Sequence, residues 1–180
     1  MFSFEPKTLH TKRLILRKAL LSDAPAMFNN WAKDSEVTKY LSWYPHRDVG
    51  ASSLMLELWR GLSSKEKMTM WVCEDKKLKE VIGSVSLLLS DEKKRLGEIG
   101  FCFGKNFWGQ GIATEVLAKI IEYAFSIGYE MLICRTRQEN IAAKKVITKN
   151  NMEYLETKEV FWLKDQKNYF LDTYIIKKLI

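Results

Sequence analysis

The chain has 180 residues, 47% of them apolar and 28% charged, with a formal net charge of +7. This is the balance of a soluble globular protein, and residues 1–180 are long enough to enclose a full core as a single domain. No apolar run reaches bilayer length, so no membrane association is expected. The start of the chain, Met1 to Lys7, holds no stretch like a signal peptide, which points to the cytoplasm. Cys73, Cys102 and Cys134 lie in separate strand-like runs and read as buried free thiols of a reducing compartment. With only His10 and His46 besides, no metal centre is expected. The lysines are dispersed rather than gathered into a stripe with interleaved aromatics, which argues against nucleic acid as the main ligand.

Leu14–Lys18 reads as a first strand. Ser22 or Asp23 can cap a helix with Pro25 in its first turn, followed by Ala26, Met27, Asn30 and Trp31 at helical spacing. After the loop Ser42–Asp48, in which Asp48 can act as a cap, a second helix is expected to bury Leu54, Met55, Leu58, Trp59 and Leu62. Met68–Glu74, Val81–Leu89 and Leu96–Phe103 form an antiparallel meander joined by polar turns. A long helix then places Ile112, Val116, Leu117, Ile120, Ala124 and Phe125 inward and stops at Gly128. Met131–Thr136 follows that helix, so it should lie parallel to the preceding strand as a right-handed crossover. Asn140 leads a short helix with Ala142, Ala143, Val146 and Ile147 inward, and two strands near Glu153–Leu163 and Tyr169–Ile176 close the chain. The expected fold is α/β (α+β): a mixed, largely antiparallel seven-stranded sheet with helices on both faces.

The most informative segment is Gly97 to Glu115, a strand, a glycine-rich turn and a helix start. That order gathers unpaired backbone N–H groups at the positive end of a helix dipole, a site suited to phosphate. Gly104 and Gly109 have the spacing of a nucleotide P-loop, but Gln110-Gly111 stands where Lys-Ser/Thr is needed. Gly109 and Gly111 fit the start of a dinucleotide fingerprint, but Thr114 replaces its third glycine and no acidic residue ends the next strand. A plain chain-reversing turn is the remaining reading from the residues alone.

The loop Asn106-Phe107-Trp108-Gly109-Gln110-Gly111 resembles the acetyl-CoA pyrophosphate loop of the GNAT acetyltransferases, [QR]-x-x-G-x-[GA]. The longer string Phe107 to Glu115 resembles the RimJ/RimL-type branch, which acetylates the N-termini of ribosomal proteins. Thr11 to Arg17 resembles that branch's opening strand, Val81 to Val85 the strand before the catalytic one, and Asn140 to Met152 its N-x-x-S-x-x-V-x-x-K-x-G-[FM] stretch. Departures are Asn106 for Gln or Arg, Ala143 for Ser and Asn151 for Gly, while Val146 stands where some relatives carry a tyrosine acid. Asn151 can take the positive φ that the position requires.

The resemblance implies a single GNAT domain, an enzyme that moves an acetyl group from acetyl-CoA to a primary amine. A protein or peptide N-terminus, such as that of a ribosomal protein, is the favoured acceptor. A small-molecule amine (polyamine, aminoglycoside or amino acid) and a non-catalytic acyl-CoA-binding regulatory domain are the alternatives. Trp108, Gly109, Gln110, Gly111, Ile112, Ala113 and Thr114 would carry the pyrophosphate. Phe101, Cys102 and Phe103 would pair with the pantetheine, and Asn140 would contact it or cap its own helix. Glu98 would be the base, or else a surface carboxylate of an alternating strand. Lys144, Lys145 and Lys149 would meet the 3′-phosphate or remain solvated. The acceptor walls would come from the first helices, the loop Tyr40 to Arg47 and the hairpin Phe161 to Tyr169.

Overall fold

A computed structural model describes residues 4–62 and 67–179. The chain runs through β1 (Leu9–His10), β2 (Leu14–Arg17), α1 (Ala24–Met27), α2 (Ser35–Thr38) and α3 (Val49–Leu62). It continues through β3 (Met68–Asp75), β4 (Val81–Asp91), β5 (Leu96–Phe103), α4 (Ile112–Ser126) and β6 (Met131–Arg137). It ends with α5 (Ile141–Thr148), β7 (Glu153–Trp162) and β8 (Lys167–Lys177). The sheet has the order β1-β2-β3-β4-β5-β6-β8-β7 and is antiparallel except where β5 meets β6. The crossover through α4 therefore gives the expected parallel pair. Among the described residues the sheet has eight strands rather than seven, because Leu9 and His10 pair with Leu16 and Ile15. A two-residue strand is too short to show a period.

Alternation along the strands feeds two cores. Ile99 and Phe103 of β5, with Leu132 and Cys134 of β6, pack under Val116, Leu117 and Ile120 of α4 and Ile147 of α5. Each of the large aliphatic side chains buried on α4 contributes about 1.5–3 kcal/mol relative to exposure. On the other face, Val72 and Val81 pack against Ala24 and Met27 of α1 and Leu56 of α3.

Three helix expectations need correction. Asp23 does not cap α1 with its side chain. Its carboxylate accepts from both Nη atoms of Arg17, at 2.9 and 2.8 Å, and from the Leu20 N–H. A nearby guanidinium outbids the helix N–H groups because both partners are charged. On α3, Leu54 and Leu58 are exposed, while Leu56 and Ser52 are fully buried with Met55 and Trp59 beside them; the side chain of Leu62 lies outside the described residues. Apolar residues occupy more than half the circumference of this helix, so periodicity alone does not choose the face. Ser52 can be buried because its hydroxyl bonds His46 Nδ1 at 2.8 Å. On α5, Ile147 is buried and Ala143 and Val146 half-buried as expected, but Ala142 is exposed. The expected cap at Asp48 is present, accepting from the Ala51 N–H at 2.8 Å. Among the described residues no helix is long and apolar enough to cross a membrane.

Candidate active site

The parallel pairing of β5 and β6 covers only Leu96–Met131, Gly97–Leu132 and Glu98–Ile133. Beyond it β5 stays bonded to β4 as far as Phe103, and β6 to β8 as far as Arg137. The two strands thus part, leaving the inner edge of Ile99 to Phe103 free of sheet partners. A groove of about 350 Å³ opens into this split. Phe101, Cys102 and Phe103 form its floor, and the glycine loop and the start of α4 one wall. Asn140 and α5 supply the opposite wall, and Glu36, Val37, Tyr40 and Leu41 one end.

The loop wall follows from its glycines. Gly109 and Gly111 have φ of 74° and 72°, a left-handed conformation that glycine alone adopts without strain. Gly111 is the residue before α4, and no side chain caps that helix. The N–H groups of Ile112, Ala113 and Thr114 have no intrahelical carbonyl to meet, and these three residues line the groove. Nearby, Gly104 could carry no side chain, since a Cβ there would lie 2.2 Å from the Asn30 carbonyl oxygen. Of the residues assigned to acetyl-CoA from the sequence, all but Gln110 and Lys144 line the groove. The Gln110 side chain instead donates to the Asn106 carbonyl at 2.8 Å.

Asn140 is the N-cap of α5, its Oδ1 accepting from the Ala143 N–H at 3.1 Å, and it also lines the groove. The two readings of this residue are therefore compatible. The three lysines part company. Lys145 and Lys149 line the groove, whereas Lys144 turns away to pair with Asp172 at 2.5 Å. Asp172 is buried, which pushes its carboxyl up, but hydrogen bonds from Lys144 and Thr157 outweigh this and hold it below the usual carboxylate range.

Glu98 is absent from the groove lining. Both its oxygens accept from Arg135 on β6, through Nε at 3.1 Å and through Nη2. Glu98 and Arg135 share the sheet face opposite α4 on adjacent strands, Glu98 in the last bonded pair with Ile133 and Arg135 just beyond it. Cys73 and Cys134 are buried free thiols, while Cys102 is only half-buried and faces the groove. Its apolar surroundings push the Cys102 thiol up to about 12.

The end near Tyr40 is built from segments far apart in sequence. Lys164, at the tip of the β7–β8 hairpin, donates to the carbonyls of Thr38 and Leu41 at 2.7 and 3.4 Å. The Tyr44 hydroxyl donates back to the Lys164 carbonyl. Arg137, almost wholly buried, stacks on Tyr169 at 3.3 Å and lies 5.3 Å from the Tyr40 ring. Its charge is met by Asp165 and Glu139, each at 3.5 Å. Loop and hairpin, both named from the sequence, do meet here. The α2 residues Glu36 and Val37 were missed, although Asp34, which accepts from the Glu36 N–H at 2.8 Å, is a recognisable helix cap.

Residues 13–153 match the family model for the acetyltransferase (GNAT) domain. The uncharacterized N-acetyltransferase p20 of Bacillus licheniformis is 30% identical over 174 residues, 96% of both chains. Among solved structures, RimJ of Mycobacterium smegmatis in complex with CoA-disulfide superposes with a TM-score of 0.87 at 18% identity. That match covers 98% of this chain and 90% of the other. The microcin C7 self-immunity acetyltransferase MccE, in complex with acetyl-CoA and AMP, has a TM-score of 0.82 at 17% identity and 93% coverage of both.

Proposed function

Because the chain belongs to the GNAT acetyltransferase family, we propose that it transfers the acetyl group of acetyl-CoA to a primary amine in the split between β5 and β6, with a peptide N-terminus as the acceptor. The observation that carries this reading is the uncapped start of α4 behind two left-handed glycines, opening on a groove with Lys145 and Lys149 at its lip. Backbone N–H groups, a helix dipole and two ammonium groups together suit a pyrophosphate and a further phosphate. The pantetheine, extended and rich in amides, pairs with the free edge of Gly100 to Phe103 like an added strand.

In that arrangement a backbone N–H of the β5 edge polarises the thioester carbonyl. The amine nitrogen attacks the carbonyl carbon, a C–N bond forms and the C–S bond breaks. CoA leaves as thiolate, a fair leaving group because a free thiol titrates near 8.5. Ala143 and Val146 offer no proton, and none is required. Glu98 takes the ammonium proton through water, its orientation fixed by Arg135.

The acceptor end favours a peptide over a polycation. Glu36 is the carboxylate that lines it, and Glu36 is already ion-paired with Lys105. Tyr40 and Leu41 supply an aromatic and apolar frame suited to a chain end, with the hairpin tip holding it through Lys164. RimL, similar in fold and named a ribosomal L7/L12 alpha-N-protein acetyltransferase, agrees with this choice.

The test combines calorimetry with CoA and a thiol-release screen over ribosomal N-terminal peptides, polyamines and aminoglycosides. Micromolar CoA binding with turnover on peptides is expected. Turnover confined to polyamines or aminoglycosides would overturn the acceptor, and absence of CoA binding would overturn the site.

A further inference from the structure

The glycine loop is held from behind by a residue nearly a hundred positions earlier in the chain. Arg13, at the entrance to β2, donates its backbone N–H to Glu115 Oε1 at 2.8 Å and its Nε to Glu115 Oε2 at 2.7 Å. Its Nη1 donates to the Gln110 carbonyl oxygen at 2.7 Å. One guanidinium therefore joins the first turn of α4 to the middle of the loop. We propose that Arg13 is a positioning residue that fixes the Gln110–Gly111 peptide so that the Gly111 N–H faces the acetyl-CoA pyrophosphate. The inference rests on the proposed acetyl-CoA site.

The argument is geometric. In a planar trans peptide the carbonyl oxygen and the next N–H point in opposite directions. Binding the Gln110 oxygen to Arg13 therefore turns the Gly111 N–H to the other side of the loop, where the groove lies. Gly109 and Gly111 flank this peptide, and glycine permits both the observed orientation and its reverse. A reversed peptide would present a carbonyl oxygen to the phosphates in place of a donor. The loop's sequence alone does not exclude that state; the hydrogen bond from Arg13 does.

Glu115 keeps the guanidinium in place. Its carboxylate is raised by burial, yet hydrogen bonds from Thr11 and Arg13 prevail and hold it low. With Nε and Nη1 engaged, Arg13 is committed to the protein side of the loop. A lysine cannot reproduce this, because it lacks the rigid fork that reaches a carboxylate and a carbonyl together.

The test compares CoA with pantetheine, which lacks the pyrophosphate. Binding of each to the full chain and to Arg13→Gln is measured by calorimetry for CoA and by NMR titration for pantetheine. Loss of a donor to a charged ligand is expected to weaken CoA about tenfold to a hundredfold, with pantetheine affinity within about twofold of the unmodified protein. Glu115→Gln, which keeps shape and loosens the brace, should show the same selectivity and covers the case in which Arg13→Gln fails to fold. Equal weakening of both ligands, or no change in CoA affinity, would overturn the inference. Failure of the unmodified protein to bind CoA would bring down the underlying site assignment instead, so the two failures are distinguishable.

Discussion

At Glu98 the arginine opposite shapes what a substitution reveals. Glu98→Gln removes a base but keeps a carbonyl oxygen for Arg135. The pair is partly exposed, so the stability change should stay below about 1 kcal/mol. The rate is a different matter. If Glu98 takes the ammonium proton, kcat should fall while CoA affinity stays near the original. The deficit should be largest at low pH, where the amine is mostly protonated, and shrink as pH rises. A pH–rate profile superimposable on that of the unmodified protein would leave Glu98 as one half of a structural ion pair. Gly111 makes the complementary case. Valine there meets a φ of 72°, costing about 1–3 kcal/mol of local strain, and its Cβ would come within 3.7 Å of Arg13 Nη2, crowding the guanidinium that holds the Gln110 carbonyl. Gly111→Val is expected to remain folded and to lose most CoA affinity, as calorimetry and circular dichroism would show; undiminished affinity in a folded variant would remove the loop from the site.

At the scale of elements, α5 depends on a buried charge. Lys144 ties it to Asp172 of β8, and Thr157 of β7 donates to the same carboxylate at 2.6 Å. Lys144→Met would leave Asp172 short of its cation, a loss of about 3 kcal/mol, the low end for a broken buried pair. Because the folded Asp172 titrates below its ordinary value, the pair's stabilisation is present above the unfolded carboxylate's titration near pH 3.9. It fades as pH falls through the folded value. The gap in denaturation midpoint between Lys144→Met and the unmodified protein should therefore be full at pH 7 and close below pH 4; a gap independent of pH would point to packing rather than charge. The sequence made α5 visible through Asn140 and its apolar spacing, but Lys144, Lys145 and Lys149 look alike there. Only the sheet behind α5 separates the paired lysine from the two that face the groove. The same holds for α3, where the choice between Leu54 and Leu56 is made by α1 and β3 rather than by the helix's own pattern. Strands with clean alternation, the glycine turn and the crossover through α4 were legible because each rests on local geometry. Partners such as Arg135 for Glu98 or Arg13 for Gln110 depend on which strands become neighbours, and no local signal carries that.

Across the whole molecule, the groove's two ends are built differently. The phosphate end comes from one continuous stretch, β5 through α4, with α5 facing it. The other end, lined by Glu36, Val37, Tyr40 and Leu41, is held by the β7–β8 hairpin, which reaches across to α2 and joins Lys164 to the carbonyls of Thr38 and Leu41. Such a long-range contact can loosen without unfolding the sheet beneath it. Burial lowers the Lys164 ammonium's titration, with Asp165 opposing the shift and Arg137 adding to it. Lys164→Met keeps the stem and removes the donors. The expected result is faster hydrogen exchange in Thr38 to His46, a several-fold higher KM for the amine acceptor, and CoA affinity unchanged within about twofold. That split between acceptor and CoA follows from distance, because the hairpin tip is not among the residues lining the groove's glycine wall. If CoA affinity fell in step with the acceptor's KM, the two ends would be coupled through the sheet, and the division of the groove into a local phosphate end and an assembled acceptor end would be wrong.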